Sequence, residues 1–169
     1  MDKPTYKKLL LSCLSIFLSS TLYAQSLCTE SEKAIFSFKE TRSRKFMSIC
    51  EGSSASYLTY RFGTKEKIEL QYPGQLDEHA WKKFEFSGIR RGGGKENAGF
   101  GAYTLTFVNG KTEYVVFQEW NDEDETYSIG INIQTPGKTT VLLGDRLTQK
   151  GSLVLLETPG ARIRNLENP

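Results

Sequence analysis

Hydrophobic and polar residues alternate along most of the chain beyond residue 30, and this alternation predicts β-strands. In the clearest run, Tyr127, Ile129, Ile131 and Ile133 fall on one face, while the residues between them are small or polar. Alternation with a period of two is typical of a strand that buries one face. This run is therefore predicted to be a strand with one face buried in the hydrophobic core.

A hairpin is predicted around Asn109-Gly110, which lies between alternating runs at residues 103–108 and 111–118. Asn-Gly favours a two-residue turn because both turn positions adopt positive φ. A loop of these two residues places Leu105 opposite Tyr114, so that large apolar residues share one side of the hairpin. The other predicted pairs are Tyr103 with Val116 and Thr106 with Glu113.

Shorter alternating segments continue the pattern at residues 35–38, 46–50, 58–62, 68–72, 84–86 and 153–155. Turn residues separate the segments at 63–67, 73–74, 90–94, 121–125, 136–137 and 144–145. Helical turns fit only residues 31–34 and 75–83. The expected fold is all-β, an antiparallel meander of about nine or ten strands that forms either a barrel or a sandwich.

The chain begins with the three parts of an export signal. Three lysines lie within the first eight residues, residues 9–22 are apolar or hydroxylic, and Leu22-Tyr23-Ala24 ends in the small residue that signal peptidase accepts. We expect a cleaved signal peptide at 1–24 and a single β domain at 25–169, located in the periplasm or outside the cell. The apolar run is shorter than the roughly 20 residues that span a bilayer, so no membrane anchor is expected after cleavage.

Cleavage changes the charge of the protein. The whole chain has 22 Lys+Arg and 20 Asp+Glu, and residues 1–24 contain three lysines and one aspartate, which leaves 19 charges of each sign. A net charge of zero lacks the excess of cations that neutralises phosphates. No nucleic-acid partner is therefore expected.

Two cysteines remain after cleavage, because Cys13 belongs to the predicted signal peptide. Cys28 and Cys50 form an even pair in an oxidising compartment, which predicts a disulfide between them. Closing a loop of this length stabilises the fold by roughly 3 kcal/mol in the chain-entropy model. The separation along the chain does not fit a Cys-x-x-Cys redox pair, so the bond is interpreted as structural.

The N-terminal half resembles known sequences. Its shared residues are Cys28, Ala34–Phe38, Lys45–Cys50, Tyr57–Gly63 and Ile68–Pro73. In this order they resemble a group of uncharacterised small secreted bacterial β proteins. The resemblance covers about residues 28–73 and implies a secreted β protein. The group has no established activity, so it assigns no site residue to this chain.

Two charged segments are candidate contact surfaces for a partner protein. The first is Arg90-Arg91-Gly92-Gly93-Gly94-Lys95, in which Arg90, Arg91 and Lys95 are expected to contact acidic groups. A phosphate-binding loop is the alternative, but such a loop leads into a helix, whereas a strand follows here. We therefore interpret the segment as a hairpin loop that presents three cations.

The second segment is Trp120 with the acidic run Asp122-Glu123-Asp124-Glu125 between two predicted strands. Ca²⁺ binds at spaced oxygen ligands with a glycine at a sharp turn, and four successive acids lack both features. We interpret the run as a charged hairpin tip. Its candidate partner contacts are Trp120, Asp122, Glu123 and Asp124.

Catalytic residue sets are sparse in the mature chain. His79 is its one histidine and the cysteines are predicted to be paired, so neither a zinc site nor a Ser-His-Asp triad is expected. No cofactor is expected. The sequence favours a non-enzymatic secreted or periplasmic binding protein, and its sharpest version is an inhibitor or immunity protein against a cell-wall hydrolase.

Two alternatives stay open. One is an envelope glycan-binding component that uses the aromatic faces of Trp81 and Trp120. The other is an enzyme that acts on glycans through paired carboxylates. Its carboxylates would come from Glu113, Glu119, Glu125 and Asp122.

Overall fold

The chain folds into one strongly curled β-sheet. The structure is a computed structural model that describes residues 26–157 and 163–165, so the predicted signal peptide at 1–24 lies outside the described residues. The strands are β1 (Lys33–Glu40), β2 (Phe46–Glu51), β3 (Leu58–Gly63), β4 (Ile68–Tyr72), β5 (Glu85–Arg91), β6 (Phe100–Asn109), β7 (Thr112–Asn121), β8 (Thr126–Thr135), β9 (Lys138–Gly151) and β10 (Arg164–Asn165).

Two antiparallel meanders, β1–β4 and β5–β9, are joined in the middle of the sheet by pairing of β9 with β1. The two-residue β10 pairs in parallel with β5 at one edge, and β4 forms the other edge. The prediction of an all-β fold with nine or ten strands is confirmed. The sheet curls as a half-barrel, and within the described residues no backbone hydrogen bonds join its two edges.

The helical structure found among the described residues consists of three short 3₁₀ segments. They span Ser53–Ala55, Ala80–Lys83 and Leu153–Glu157. The second lies within the predicted helical stretch at 75–83. The helical turn predicted at 31–34 is wrong, because residues 33 and 34 already belong to β1. In the part of the chain that the structure describes, no helix has the length and apolarity required to cross a membrane.

Aromatic rings fill the inside of the curl. The Phe107 ring of β6 lies 4.4 Å from the ring of Tyr72, 4.8 Å from those of Tyr60 and Tyr114, and 5.6 Å from that of Phe84. These four neighbours come from β4, β3, β7 and the link before β5. Ring packing therefore holds the two edges of the sheet together where backbone hydrogen bonds do not.

The β6–β7 hairpin forms as predicted, but the predicted register is wrong by two residues. Leu105 lies opposite Val116, and Asn109 pairs with Thr112. The turn is therefore Gly110-Lys111, because Gly110 supplies the positive φ of 64° that the first turn position needs. A shift of two residues keeps every side chain on its predicted face.

The predicted turn at Gly144-Asp145 is wrong, because β9 continues through it. Residues up to Leu143 pair with β8, and those from Gly144 onward pair with β1. The register against β1 shifts, and the Asp145 carboxylate accepts the backbone N–H of Leu147 at 3.0 Å. The turn-forming residues thus build a bulge in a long strand.

The predicted strand at Leu153–Leu155 is also wrong, because a 3₁₀ segment occupies these residues. Gly151, with φ of 67°, redirects the chain, and the backbone N–H of Ser152 donates to the Ile35 carbonyl at 2.9 Å. Leu153 and Leu156 then enter the core. These apolar residues therefore pack against the sheet from a 3₁₀ segment and do not mark a strand.

The N-terminal segment at residues 26–32, here called the strap, covers the outer face of β1–β3. The predicted disulfide between Cys28 and Cys50 is confirmed and ties the strap to β2. The backbone N–H of Leu27 donates to the hydroxyl of Ser48 at 2.8 Å, and Ser48 is fully buried although it faces away from the aromatic core. The disulfide thus fixes a polar layer on the outside of the sheet.

An ion pair lies under the strap. The Arg61 guanidinium of β3 bonds both carboxylate oxygens of Glu32, at 2.5 and 2.8 Å, and it also donates to the Leu27 carbonyl at 3.2 Å. Only 6 % of the Arg61 side chain and 1 % of the Glu32 side chain are exposed. The strap is therefore held by a covalent bond and by a buried charge pair.

Candidate binding site

The two charged segments identified in the sequence lie side by side at one end of the sheet. One is the end of β5 with the loop at 92–99, and the other is the β7–β8 turn at 122–125. Their hairpins are neighbours in the antiparallel sheet, so their tips reach the same end. The backbone N–H of Asp122 donates to the Gly99 carbonyl at 2.9 Å and joins the two tips.

The three candidate cations differ in their surroundings. Arg90 and Arg91 lie in β5 rather than in the predicted loop. Arg90 forms an ion pair with Glu157 at 3.2 Å, and Arg91 stacks over Phe100 and donates to a nearby carbonyl. Lys95 is exposed in the loop. Lys95 is thus the cation that the loop itself presents to solvent.

The acidic tip is a defined turn. The Asn121 amide donates to the Asp124 carboxylate at 2.8 Å, and its oxygen accepts the backbone N–H of Glu123 at 2.9 Å. Glu125 adopts a left-handed conformation with φ of 51°. Asp122 and Glu125 are exposed and both line the pocket beneath the turn. The interpretation of this run as a hairpin tip is therefore confirmed.

A pocket of about 480 Å³ opens between the β7–β8 turn, β9 and the last 3₁₀ segment. Pockets of this size accommodate small ligands or single units of a polymer. The pocket is lined by Gln118, Trp120, Asn121, Asp122, Glu125, Thr126, Tyr127, Arg146, Ser152 and Val154.

Trp120 forms an aromatic wall of this pocket and is held in place by its neighbours. Its ring stacks on Tyr103 at 5.6 Å with an angle of 17° between the rings. Gly101 lies directly opposite Trp120, and a Cβ there would stand only 2.3 Å from the indole. Glycine at this strand position thus makes room for the indole.

A hydrogen-bond network fixes the second aromatic wall, Tyr127. Its hydroxyl accepts from the Gln118 amide at 2.9 Å and donates to Gln149 at 2.7 Å. The Gln118 oxygen accepts from the Ser152 hydroxyl and from the backbone N–H of Leu153. Because Gln118 is only 4 % exposed and both its amide nitrogen and its amide oxygen are hydrogen-bonded, this part of the pocket is held in place before any ligand binds.

Arg146 completes the pocket from β9. Its guanidinium carbon lies 4.3 Å from the centroid of the Tyr127 ring, a stacking geometry that suits a planar cation. Among the described residues Arg146 makes no ion pair, and its side chain is exposed. The pocket therefore has a positive charge on the β9 side and acidic groups on the side of the turn.

The remaining candidate residues do not join this pocket. Glu119 is exposed on the opposite face of β7 from Trp120, and Glu113 shares that face. The side chain of His79 is 68 % exposed in the β4–β5 link. Trp81 is buried and donates its indole N–H to the Ala55 carbonyl at 3.0 Å, so it packs in the core.

Another cluster brings the ligand atoms of Cys28, Glu32 and Cys50 within 4.8 Å of one another. The two sulfurs are bonded to each other, and the carboxylate is held by Arg61. The cluster is therefore the anchor of the strap.

The sequence pattern did not indicate three members of the site, Arg146, Tyr127 and Gln118. Arg146 followed a predicted turn, while Tyr127 and Gln118 read as ordinary alternating strand residues. Gly101, a glycine inside a strand that marks a close approach, indicates only the Trp120 indole packed against it and none of these three residues. Comparison with protein families, with characterised proteins and with solved structures found no match to the chain.

Proposed function

We propose that the protein is a non-enzymatic binding protein of the periplasm or extracellular space, and that its pocket holds part of an envelope glycan. The observation that carries this proposal is the convergence of two aromatic walls, Trp120 and Tyr127, with amide, acid and guanidinium groups around one concave site. Aromatic faces suit the apolar faces of sugar rings, and the polar groups suit the hydroxyls around them.

The position of the acids supports binding rather than catalysis. A general acid for glycoside hydrolysis needs a raised pKa, which burial in an apolar pocket provides. Asp122 and Glu125 are exposed on the turn, and Glu119 is exposed on the other face of β7. The enzyme alternative predicts that purified protein turns over cell-wall glycan and that Glu119→Gln abolishes this.

The disulfide supports the proposed location. The bond between Cys28 and Cys50 is compatible with an oxidising compartment outside the cytoplasm, where disulfides persist. The predicted signal peptide at 1–24 supports the same location. Periplasmic and extracellular glycans are then the ligands within reach of the pocket.

Replacing Trp120 by alanine is expected to weaken binding of soluble envelope-glycan fragments at least about tenfold, because aromatic anchors in ligand sites dominate binding energy. The measurement is quenching of tryptophan fluorescence in wild type and calorimetric titration in both proteins. The matched control is Val141→Ala, which removes a side chain that is 51 % exposed on β9 and does not line the pocket. Equal affinity of wild type and Trp120→Ala would contradict the proposed site.

A protein partner is the second candidate, in the form of an inhibitor of a cell-wall hydrolase. The observation in its favour is the 92–99 loop, where Lys95 is exposed and no atom stands near the Cβ positions of Gly92 and Gly94. Affinity capture with the mature oxidised protein tests it. If the protein is such an inhibitor, it should capture a hydrolase. This capture should be lost when Arg90, Arg91 and Lys95 are replaced, and it should be retained by the Trp120→Ala variant.

A further inference from the structure

We propose that the ligand in the pocket carries a carboxylate, as an acidic sugar does, and that Arg146 binds this group. The inference rests on the proposed function, because it assumes that the pocket is the ligand site. It assigns a positioning and specificity role to a residue that the sequence did not single out.

Arg146 is arranged to bind an anion that none of the described residues supplies. The guanidinium is stacked on Tyr127, and Tyr127 is fixed by Gln118 and Gln149, so the orientation of the cation is restricted. Asp122 and Glu125 line the same pocket, yet neither approaches Arg146 within ion-pair distance. The planar guanidinium thus retains donors for a bidentate carboxylate.

The acids on the other side of the pocket favour a carboxylate over a phosphate. Asp122 and Glu125 repel any anion, and they repel a doubly charged phosphate more strongly than a singly charged carboxylate. Ionised carboxylates only accept hydrogen bonds, so they suit hydroxyl groups as donors. A ring with hydroxyls at one end and a carboxylate at the other matches this distribution of charge.

A pair of sugars that differ in one group tests the inference. Methyl β-D-glucuronide and methyl β-D-glucoside differ only in the carboxylate that replaces a hydroxymethyl group. Each is titrated into the mature oxidised protein while tryptophan fluorescence is recorded. We expect the glucuronide to bind about tenfold or more tightly than the glucoside, because hydrogen bonds between charged groups are about twice as strong as neutral ones.

Substitution of Arg146 should remove this preference. In Arg146→Gln the glucuronide is expected to bind no more tightly than the glucoside, and Arg146→Lys should keep part of the preference because it keeps the charge without the planar fork. Lys138→Gln is the matched control, since Lys138 is an exposed cation of the same strand, β9, that does not line the pocket. Thermal unfolding of each variant shows that it is folded.

The outcomes separate the two proposals. Equal binding of the two sugars by wild type overturns the carboxylate inference and leaves glycan binding standing. A glucuronide preference that survives in Arg146→Gln overturns the assignment to Arg146. Binding of neither sugar overturns the carboxylate inference together with the glycan-binding proposal.

Discussion

Replacing Arg61 by methionine is expected to lower the free energy of unfolding by about 3–5 kcal/mol, the usual cost of breaking a buried ion pair. The substitution leaves the Glu32 carboxylate, of which 1 % is exposed, without its counter-ion beneath the strap. The loss comes from the stranded charge rather than from the attraction of the pair, because desolvation offsets much of that attraction. Chemical denaturation of the mature oxidised protein at pH 7 measures it.

Two further variants show whether the stranded charge is the cause. Lys45→Met is the matched control, since the pair of Lys45 with Glu69 at 2.7 Å is more than a third exposed on both sides and its loss should cost about 1 kcal/mol or less. The double variant Glu32→Gln/Arg61→Met removes both charges and should be more stable than Arg61→Met alone. A loss in Arg61→Met as small as that in Lys45→Met would contradict the buried position of the pair.

The same pair predicts how stability depends on pH. Burial raises the pKa of Glu32, but hydrogen bonds from Arg61, the Thr29 backbone and Tyr57 outweigh this and lower it from 4.5 to about 2. A lowered pKa contributes stability above the unfolded value, and this contribution is lost as the pH falls through the folded value. The stability difference between wild type and Arg61→Met should therefore narrow between pH 4.5 and 2.

Replacing Phe107 by alanine is expected to cost about 3–5 kcal/mol, the range for removing a large aromatic side chain from a core. Phe107 is 2 % exposed and contacts four rings from three other strands and the β4–β5 link. Its removal leaves a cavity at the place where rings hold the two sheet edges together. Equilibrium unfolding in urea, followed by circular dichroism, measures the loss.

The next residue along the same strand supplies the control. Val108 points to the opposite face and is 54 % exposed, so Val108→Ala should change the stability by no more than about 0.5 kcal/mol. If Phe107→Ala and Val108→Ala lower the free energy of unfolding by similar amounts, the aromatic cluster does not hold the two edges of the sheet together.

Most strands of this fold are predictable because they bury one face, and alternation with a period of two follows from that burial. The long strand β9 has no fully buried residue and is not among the predicted segments. The register of β6 and β7 is not predictable from the sequence. Asn109-Gly110 permits more than one turn, and the choice depends on which residue supplies the positive φ. Gly144-Asp145 shows the same limit, since one pair of residues suits both a chain reversal and a bulge. Local chemistry thus identifies irregular backbone without fixing its form.

The site was predictable only in part. The sequence identified Trp120 and the acidic tip, and the adjacency of hairpins explains why the 92–99 loop lies beside them. Arg146 lies far along the chain from Trp120, and its place beside Tyr127 depends on the pairing of β8 with β9. The convergence of Trp120, Tyr127 and Arg146 on one pocket follows from the register of several strands. Alternation of hydrophobic and polar residues alone does not specify that register.

Chemical-shift mapping tests most directly whether the pocket below the β7–β8 turn is the ligand site. ¹⁵N-labelled mature protein is titrated with soluble envelope-glycan fragments while its amide and indole resonances are followed. If the pocket is the ligand site, the largest shifts are expected at the Trp120 indole, the Gln118 side-chain amide and the backbone around Arg146. Shifts confined to the outer face around Ile89 and Val141, or to the strap, would contradict it.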